Sequence, residues 1–219
     1  MGIKERRDRE KKEHRQRILD EALQIITKEG FAALSMRKLA EKIEYSAASI
    51  YLHFRNRDEI ARELSEVGYG QLFEFLTAAA QEKDAVKRLR AVGEAYVSFG
   101  LKHPEIYRLI FMSDAAYIEA VFIENNEDSA ANKSYRILLG IAEDLKRSGH
   151  YRGKAAPSEV ADMIWTTWHG IISLKLTCTN FPMTPVETLV ALMGKTIVEG
   201  LGAKRLPVSG RTPSVAKKR

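Results

Sequence analysis

Apolar positions along the chain recur with a helical period almost throughout. Between about residues 13 and 29 they fall at Ile18, Leu19, Ala22, Leu23, Ile25 and Ile26, one face of an amphipathic helix. Gly30 ends that helix, as a residue that accepts a positive φ. Phe31 and Leu34 lie in the connection that follows. Ser35 suits the N-cap of a short helix through about Ile43, and Ser46 that of a second, from about Ala47 to Phe54. Asn56 or Asp58 opens a long helix reaching about Ala80. Further helices are expected over about 84–101, from Pro104 through Phe111, over about 129–147 and 157–177, and from Pro185 to about Leu201. Residues 113–130 stay open: Tyr117 to Ile123 reads as a short helix, and Glu124 to Asp128 as a loop. Alternating strand patterns are absent, so the expected fold is all-α.

These elements divide the chain into an arm of mixed charge at 1–12, a small helical domain at 13–60 and a larger helical domain at 61–202. A basic tail at 203–219 has too few apolar residues to pack. The 219 residues are 45% hydrophobic and 29% charged, a globular composition. No apolar run is long enough to cross a membrane. Cys178 is the only cysteine, which excludes an internal disulfide and fits a reducing, cytoplasmic setting. Of the net charge of +6, residues 1–60 carry +3, 61–202 carry −3 and 203–219 carry +6. Basic ends suit a polyanion such as DNA, and equally suit a solvated tail.

The two short helices after a longer one have the parts of a helix-turn-helix. Ile50 and Phe54, four apart, can face a core with Leu39 and Ile43. Ala47, Ala48 and Ser49 then open the second helix, the part that meets base edges in a major groove. Small side chains there permit close approach, and alanine can touch a thymine methyl. Ser46, Tyr51, His53 and Arg57 offer donors to phosphates. Each has a plainer role open to it, such as packing of the Tyr51 ring on the first helix. Lys11, Lys12 and Arg15 form either an arm toward DNA or a solvated helix start.

The run Ser35-Met-Arg-Lys-Leu-Ala-Glu-Lys-Ile43, then Tyr45-Ser46, Ile50-Tyr51-Leu52-His53-Phe54 and Arg57-Asp58-Glu59, resembles the N-terminal domain of the tetracycline-repressor (TetR) family. The likeness spans about residues 17–60 with unbroken spacing. Two departures stand out. Glu44 occupies a turn position where the family usually has glycine, and Arg57 stands where lysine is usual. The resemblance implies a DNA surface made of Ser35, Arg37, Ser46, Ala47, Ala48, Ser49, Tyr51, His53 and Arg57. It also implies that residues 61–202 form a ligand-binding and dimerisation domain.

Within that body, His103-Pro-Glu-Ile-Tyr-Arg-Leu-Ile-Phe111 and Trp165-Thr-Thr-Trp-His-Gly170 resemble a TetR subgroup with a Trp-His-Gly signature. Between Asp162 and Lys175 no charged residue interrupts Met163, Ile164, Trp165, Trp168, Ile171, Ile172 and Leu174. The last helix is similarly broad in its apolar surface. A helix apolar on several faces must bury several faces. One face can serve the subunit and another a second copy, so a homodimer through about 158–178 and 185–201 is expected. Gly170, Gly194 and Gly200 would allow close helix approach. A two-fold dimer implies a pseudo-palindromic, double-stranded operator. Tyr96, Phe99, Tyr107, Phe111, Trp165, Trp168 and His169 are candidates to line a pocket for a small, mostly apolar effector, with ordinary core packing the alternative for each.

An enzyme is not expected. Ser35-x-x-Lys38 matches a catalytic pattern, but both residues fit the first short helix. No glycine-rich phosphate loop or His-Glu-x-x-His occurs, and five histidines with one cysteine form no recognisable metal set, so no metal or cofactor is expected. The rival binding class is an architectural or ligand-independent DNA-binding protein.

Overall fold

In the computed structural model, residues 2–121, 127–151 and 153–202 are described. Helix α1 runs Ile3–Glu29 and ends at Gly30, whose φ is 84°. It begins about ten residues before the expected start near residue 13. The early turns are held by charge: Arg6 pairs with Glu10 at 2.8 Å and Arg9 with Glu13 at 3.7 Å. Such pairs at i,i+4 favour helix without any apolar face, so hydrophobic periodicity cannot register them.

A 3-10 turn at Phe31–Ala33 leads to α2 (Met36–Lys42) and α3 (Ala47–Tyr51). Helix α4 (Arg57–Ala79) starts at Asn56, whose side chain accepts the Glu59 N–H at 2.9 Å. Then come α5 (Ala85–Lys102), α6 (Pro104–Phe111), α7 (Ala115–Val121), α8 (Ala130–Arg147), α9 (Pro157–Thr177) and α10 (Val186–Gly202). Side-chain caps at Asp84 and Ser129 and proline at the first turn of α6 and α9 set the starts where expected. Helix α3 is shorter than expected: past Tyr51 the chain turns, with both the His53 and Phe54 N–H donating to the Ile50 carbonyl. The open stretch resolves into α7, begun by Asp114, whose Oδ1 accepts the Tyr117 N–H at 2.8 Å. The rest of the expected Tyr117–Ile123 helix, most of the loop after it and the 203–219 tail lie outside the described residues.

Two apolar cores share α4. Its first turns give Ile60, Ala61 and Leu64 to a core with Ile18, Ile25, Phe31, Leu34, Leu39, Ile50 and Phe54. Its later turns give Leu72 and Leu76 to the core of the larger body. Leu109 from α6 and Tyr117 from α7 enter the smaller core, so the body reaches into the domain below it. The Asp114 carboxylate fixes this junction by accepting the Phe31 N–H at 3.2 Å.

Candidate DNA-reading surface and interior cavity

The short helices are set by their caps. Ser35 Oγ accepts the Lys38 N–H at 3.1 Å and Ser46 Oγ accepts the Ser49 N–H at 3.2 Å, satisfying donors that a helix start leaves free. Between them Glu44 adopts φ 59°, and the Tyr45 N–H reaches back to the Ala40 carbonyl at 3.0 Å. That is the glycine-type ending of α2 made with glutamate. Ile50 and Phe54 are fully buried, so the opposite side of α3 faces outward.

Ser35, Arg37, Ser46, Ala48 and Tyr51 are exposed; Ala47, Ser49, His53 and Arg57 are half-buried. Tyr51 is 56% exposed, so its ring is not packed away on α1. Leu52, at 79% exposure, stands beside it as an outward apolar residue that the helical pattern did not single out. Arg37 pairs with Glu41 at 2.8 Å.

His53 and Arg57 are held from behind. His53 Nε2 meets His14 Nδ1 at 3.0 Å, and the His14 ring lies 4.1 Å from that of Tyr45. Burial lowers the pKa of His53, with His14, Arg15 and Lys11 adding to the effect. The Arg57 guanidinium sits 4.8 Å from the Phe31 ring centre. Arg15 does not project outward as an arm. It pairs with Glu63 through Nε at 2.9 Å, donates to the His53 carbonyl at 2.6 Å and covers the Phe54 ring at 4.1 Å. One side chain thus ties α1, the end of α3 and α4 together, while Lys11 and Lys12 stay exposed.

The larger body holds a cavity of about 410 Å³, partly open to the surface and within the roughly 300–1,000 Å³ of small-ligand sites. Of the candidate residues, Tyr96, Phe111 and Trp165 border it. Phe99, Tyr107 and Trp168 do not: they are fully buried core, and Trp168 packs so closely on α5 that a Cβ at Gly93 would lie 2.8 Å from its ring. His169 is also off the wall. The remaining lining comes from α4 (Tyr69, Leu72, Leu76) and α8 (Ala131, Asn132, Ser134, Tyr135, Leu138), helices that sequence reasoning did not assign to a pocket. Their residues read as ordinary amphipathic faces.

A hydrogen-bonded chain leads away from the cavity: Trp165 Nε1 to Tyr96 OH at 2.9 Å, Tyr96 OH to Tyr107 OH at 3.2 Å, Tyr107 OH to His169 Nδ1 at 2.7 Å. Its direction is fixed at one end, because an indole N–H only donates. Tyr96 therefore accepts from Trp165; between Tyr96 and Tyr107 either hydroxyl can donate, and the Tyr107–His169 bond runs in the direction the imidazole tautomer sets. Burial raises both tyrosine pKa values and lowers that of His169, in keeping with neutral phenols and a neutral imidazole.

Capped short helices on an apolar base, joined through one long helix to a hollow helical body, define a helix-turn-helix DNA-binding regulator. The family model for bacterial regulatory proteins of the tetR family matches residues 18–64, and that for the tetracycline repressor-like C-terminal domain matches 89–195. The chain belongs to the TetR family of transcriptional regulators. It is 27% identical over 139 residues to the HTH-type regulator YobS of Bacillus subtilis, covering 64% of this chain and 67% of that one. A Rhodococcus sp. RHA1 protein of unknown function superposes with a TM-score of 0.67 at 27% identity, over 86% and 95% of the two chains. FadR of Bacillus subtilis, solved in complex with stearoyl-CoA, shares the fold at 21% identity, with a TM-score of 0.63 over 86% and 99%. No helix among the described residues is long and apolar enough to cross a membrane.

Proposed function

We propose that the protein is a repressor that binds a pseudo-palindromic operator as a homodimer and is released from it by a small, mostly apolar ligand. The observation that carries this reading is a single chain with an outward-facing α3 and an apolar cavity, coupled through α4. Ser35, Arg37, Ser46, Ala47, Ala48, Ser49, Tyr51, His53 and Arg57 would make the DNA surface. Ala48 and Ser49 would approach base edges, and Tyr51, Arg37 and Arg57 the phosphates. Arg57, lying against the Phe31 ring, would be pre-positioned for that contact. The small domain at 13–60 would do the reading and the body at 61–202 the sensing.

Dimerisation would use α9 and α10. Met163, Gly170 and Leu174 share one face of α9, and Leu174 and Leu192 are 50% and 54% exposed in the single chain. The Trp-His-Gly signature would place the protein in the subgroup that bears it. Within that signature Trp168 packs on Gly93 and His169 ends the hydrogen-bonded chain.

The ligand would occupy the cavity beside Tyr96, Phe111 and Trp165 and act through its different affinities for two spacings of the reading domains. The test is nuclease footprinting of the purified protein on the DNA upstream of its own gene. Protection of a near-palindrome is expected. Uniform, salt-sensitive protection with no preferred site would instead indicate an architectural binder.

A further inference from the structure

The cavity wall is rich in rings, and most of its side-chain donors are engaged within the protein. Tyr69 OH donates to the Ile110 carbonyl at 3.1 Å, Tyr135 OH to Asp162 at 2.7 Å and Ser134 Oγ to the Ala130 carbonyl at 2.8 Å. Trp165 donates to Tyr96 OH, which shares a hydrogen bond with Tyr107 OH. Asn132 aside, the polar groups of the lining thus present lone pairs and π faces to the interior, and no lining residue is charged. A carboxylate or phosphate placed there would find few donors and be desolvated without compensation.

A second hollow, of about 580 Å³, adjoins this one and shares Tyr69, Ala131 and Asn132 with it. Among the described residues its wall carries Glu59, Glu63 and Glu66 beside Arg62. Arg15 engages Glu63. Glu66 accepts the Ala130 N–H at 3.0 Å, so the protein's own carboxylate already occupies the start of α8, where an anionic head group would otherwise be drawn. Glu59 accepts the Arg55 N–H at 2.6 Å.

We infer that the effector is a lipophilic cation, with its apolar body against Tyr69, Tyr96, Phe111 and Trp165 and its cationic end among Glu59, Glu63 and Glu66. This rests on the proposed function, which makes the cavity the effector site. Rings attract a cation through their faces, and the carboxylates beyond them complete the gradient. The anionic stearoyl-CoA bound by FadR is the opposite class, although the fold is shared.

The test uses the full-length protein and three probes with one decyl tail: decyltrimethylammonium, decanoate and decanol, all kept below micelle-forming concentrations. Binding is read from tryptophan fluorescence, with Trp165→Phe as the control that locates the response. The ammonium is expected to bind about tenfold or more tightly than the carboxylate. That preference is expected to shrink with added salt and in a Glu59→Gln, Glu66→Gln variant, where each glutamine oxygen still accepts its backbone N–H. Equal or tighter binding of decanoate would overturn the cationic assignment and leave the cavity as the effector site. If no probe binds, or if Trp165→Phe leaves the response unchanged, the cavity itself is not that site and the inference falls with it.

Discussion

Ile110 of α6 lies directly against Gly68 of α4, where a Cβ would sit 2.8 Å from Ile110 Cγ2. One residue on, Tyr69 OH holds the Ile110 carbonyl. This contact falls where α4 passes from the smaller core to the larger, so a shift of α6 moves against the helix that carries both. Gly68→Ala gains about 1 kcal/mol of helix propensity and loses about 1–3 kcal/mol to overpacking. A net loss of up to about 2 kcal/mol is expected, and a smaller loss when Ile110 is already alanine. Urea denaturation of the two single variants and the double variant measures the difference. Strict additivity would show that the two helices do not bear on each other here.

Burial of His169 behind Tyr107 gives a pH dependence. Burial holds His169 below its ordinary value of 6.5, and His53 is depressed likewise. The unfolded chain therefore takes up protons as pH falls through about 6.5 while the folded chain resists. Stability is fully present above that pH and is lost below it until the folded histidines titrate. His169→Asn keeps an acceptor for the Tyr107 hydroxyl and removes the titration. Its stability is expected to fall less than wild type between about pH 7.5 and about pH 5.5. An unchanged difference across that window would assign the dependence to other groups.

Glu44 carries the one positive φ among the described non-glycine residues. A β-carbon in the left-handed region costs about 1–2 kcal/mol, and glycine avoids that at the expense of a more flexible unfolded chain. Glu44→Gly is expected to raise stability by about 0.5–1 kcal/mol in thermal or urea unfolding. Lower stability in Glu44→Gly would mean that the glutamate side chain contributes more than its backbone strain removes.

Much of this was legible in the sequence because it is local. Ser35, Ser46, Asn56, Asp84 and Ser129 mark helix starts through bonds spanning three residues, and Ile50 and Phe54 declare their common face by spacing. The cavity was only half legible. Tyr96, Phe111 and Trp165 border it while Phe99, Tyr107 and Trp168 do not, yet all are aromatic residues at helical positions. Whether such a ring meets a void depends on how far apart α4, α5, α8 and α9 stand, and no local pattern encodes that distance. The His14–His53 contact was hidden for the same reason, since it joins residues 39 apart in the chain.

Tyr51 is exposed on α3. If it meets a phosphate, Tyr51→Phe weakens binding to every operator variant alike, by about 0.5–1.5 kcal/mol. Electrophoretic mobility shifts on a panel of single-base operator variants test this. A loss confined to one base pair would give Tyr51 a base-reading role instead.

The proposed dimer face on α9 and α10 can be tested without disturbing the subunit. Leu174 and Leu192 are exposed in the single chain, and a Cβ at Gly170 or Gly194 would meet nothing within 4 Å. A charge at either leucine therefore harms the isolated fold little. In a two-fold pair each substitution occurs twice; each half-exposed leucine has about 1–1.5 kcal/mol of burial left to contribute, and a glutamate there adds the cost of desolvating its charge. Leu174→Glu or Leu192→Glu is thus expected to weaken association by about 3 kcal/mol or more, at least a hundredfold in the dissociation constant. Sedimentation velocity would show monomers where wild type is dimeric, with an unchanged circular dichroism spectrum. Operator affinity should fall with it, because two reading helices on one body bind a palindrome far better than one. A Leu192→Glu protein that remained dimeric and held its operator as wild type does would place the interface elsewhere on the body.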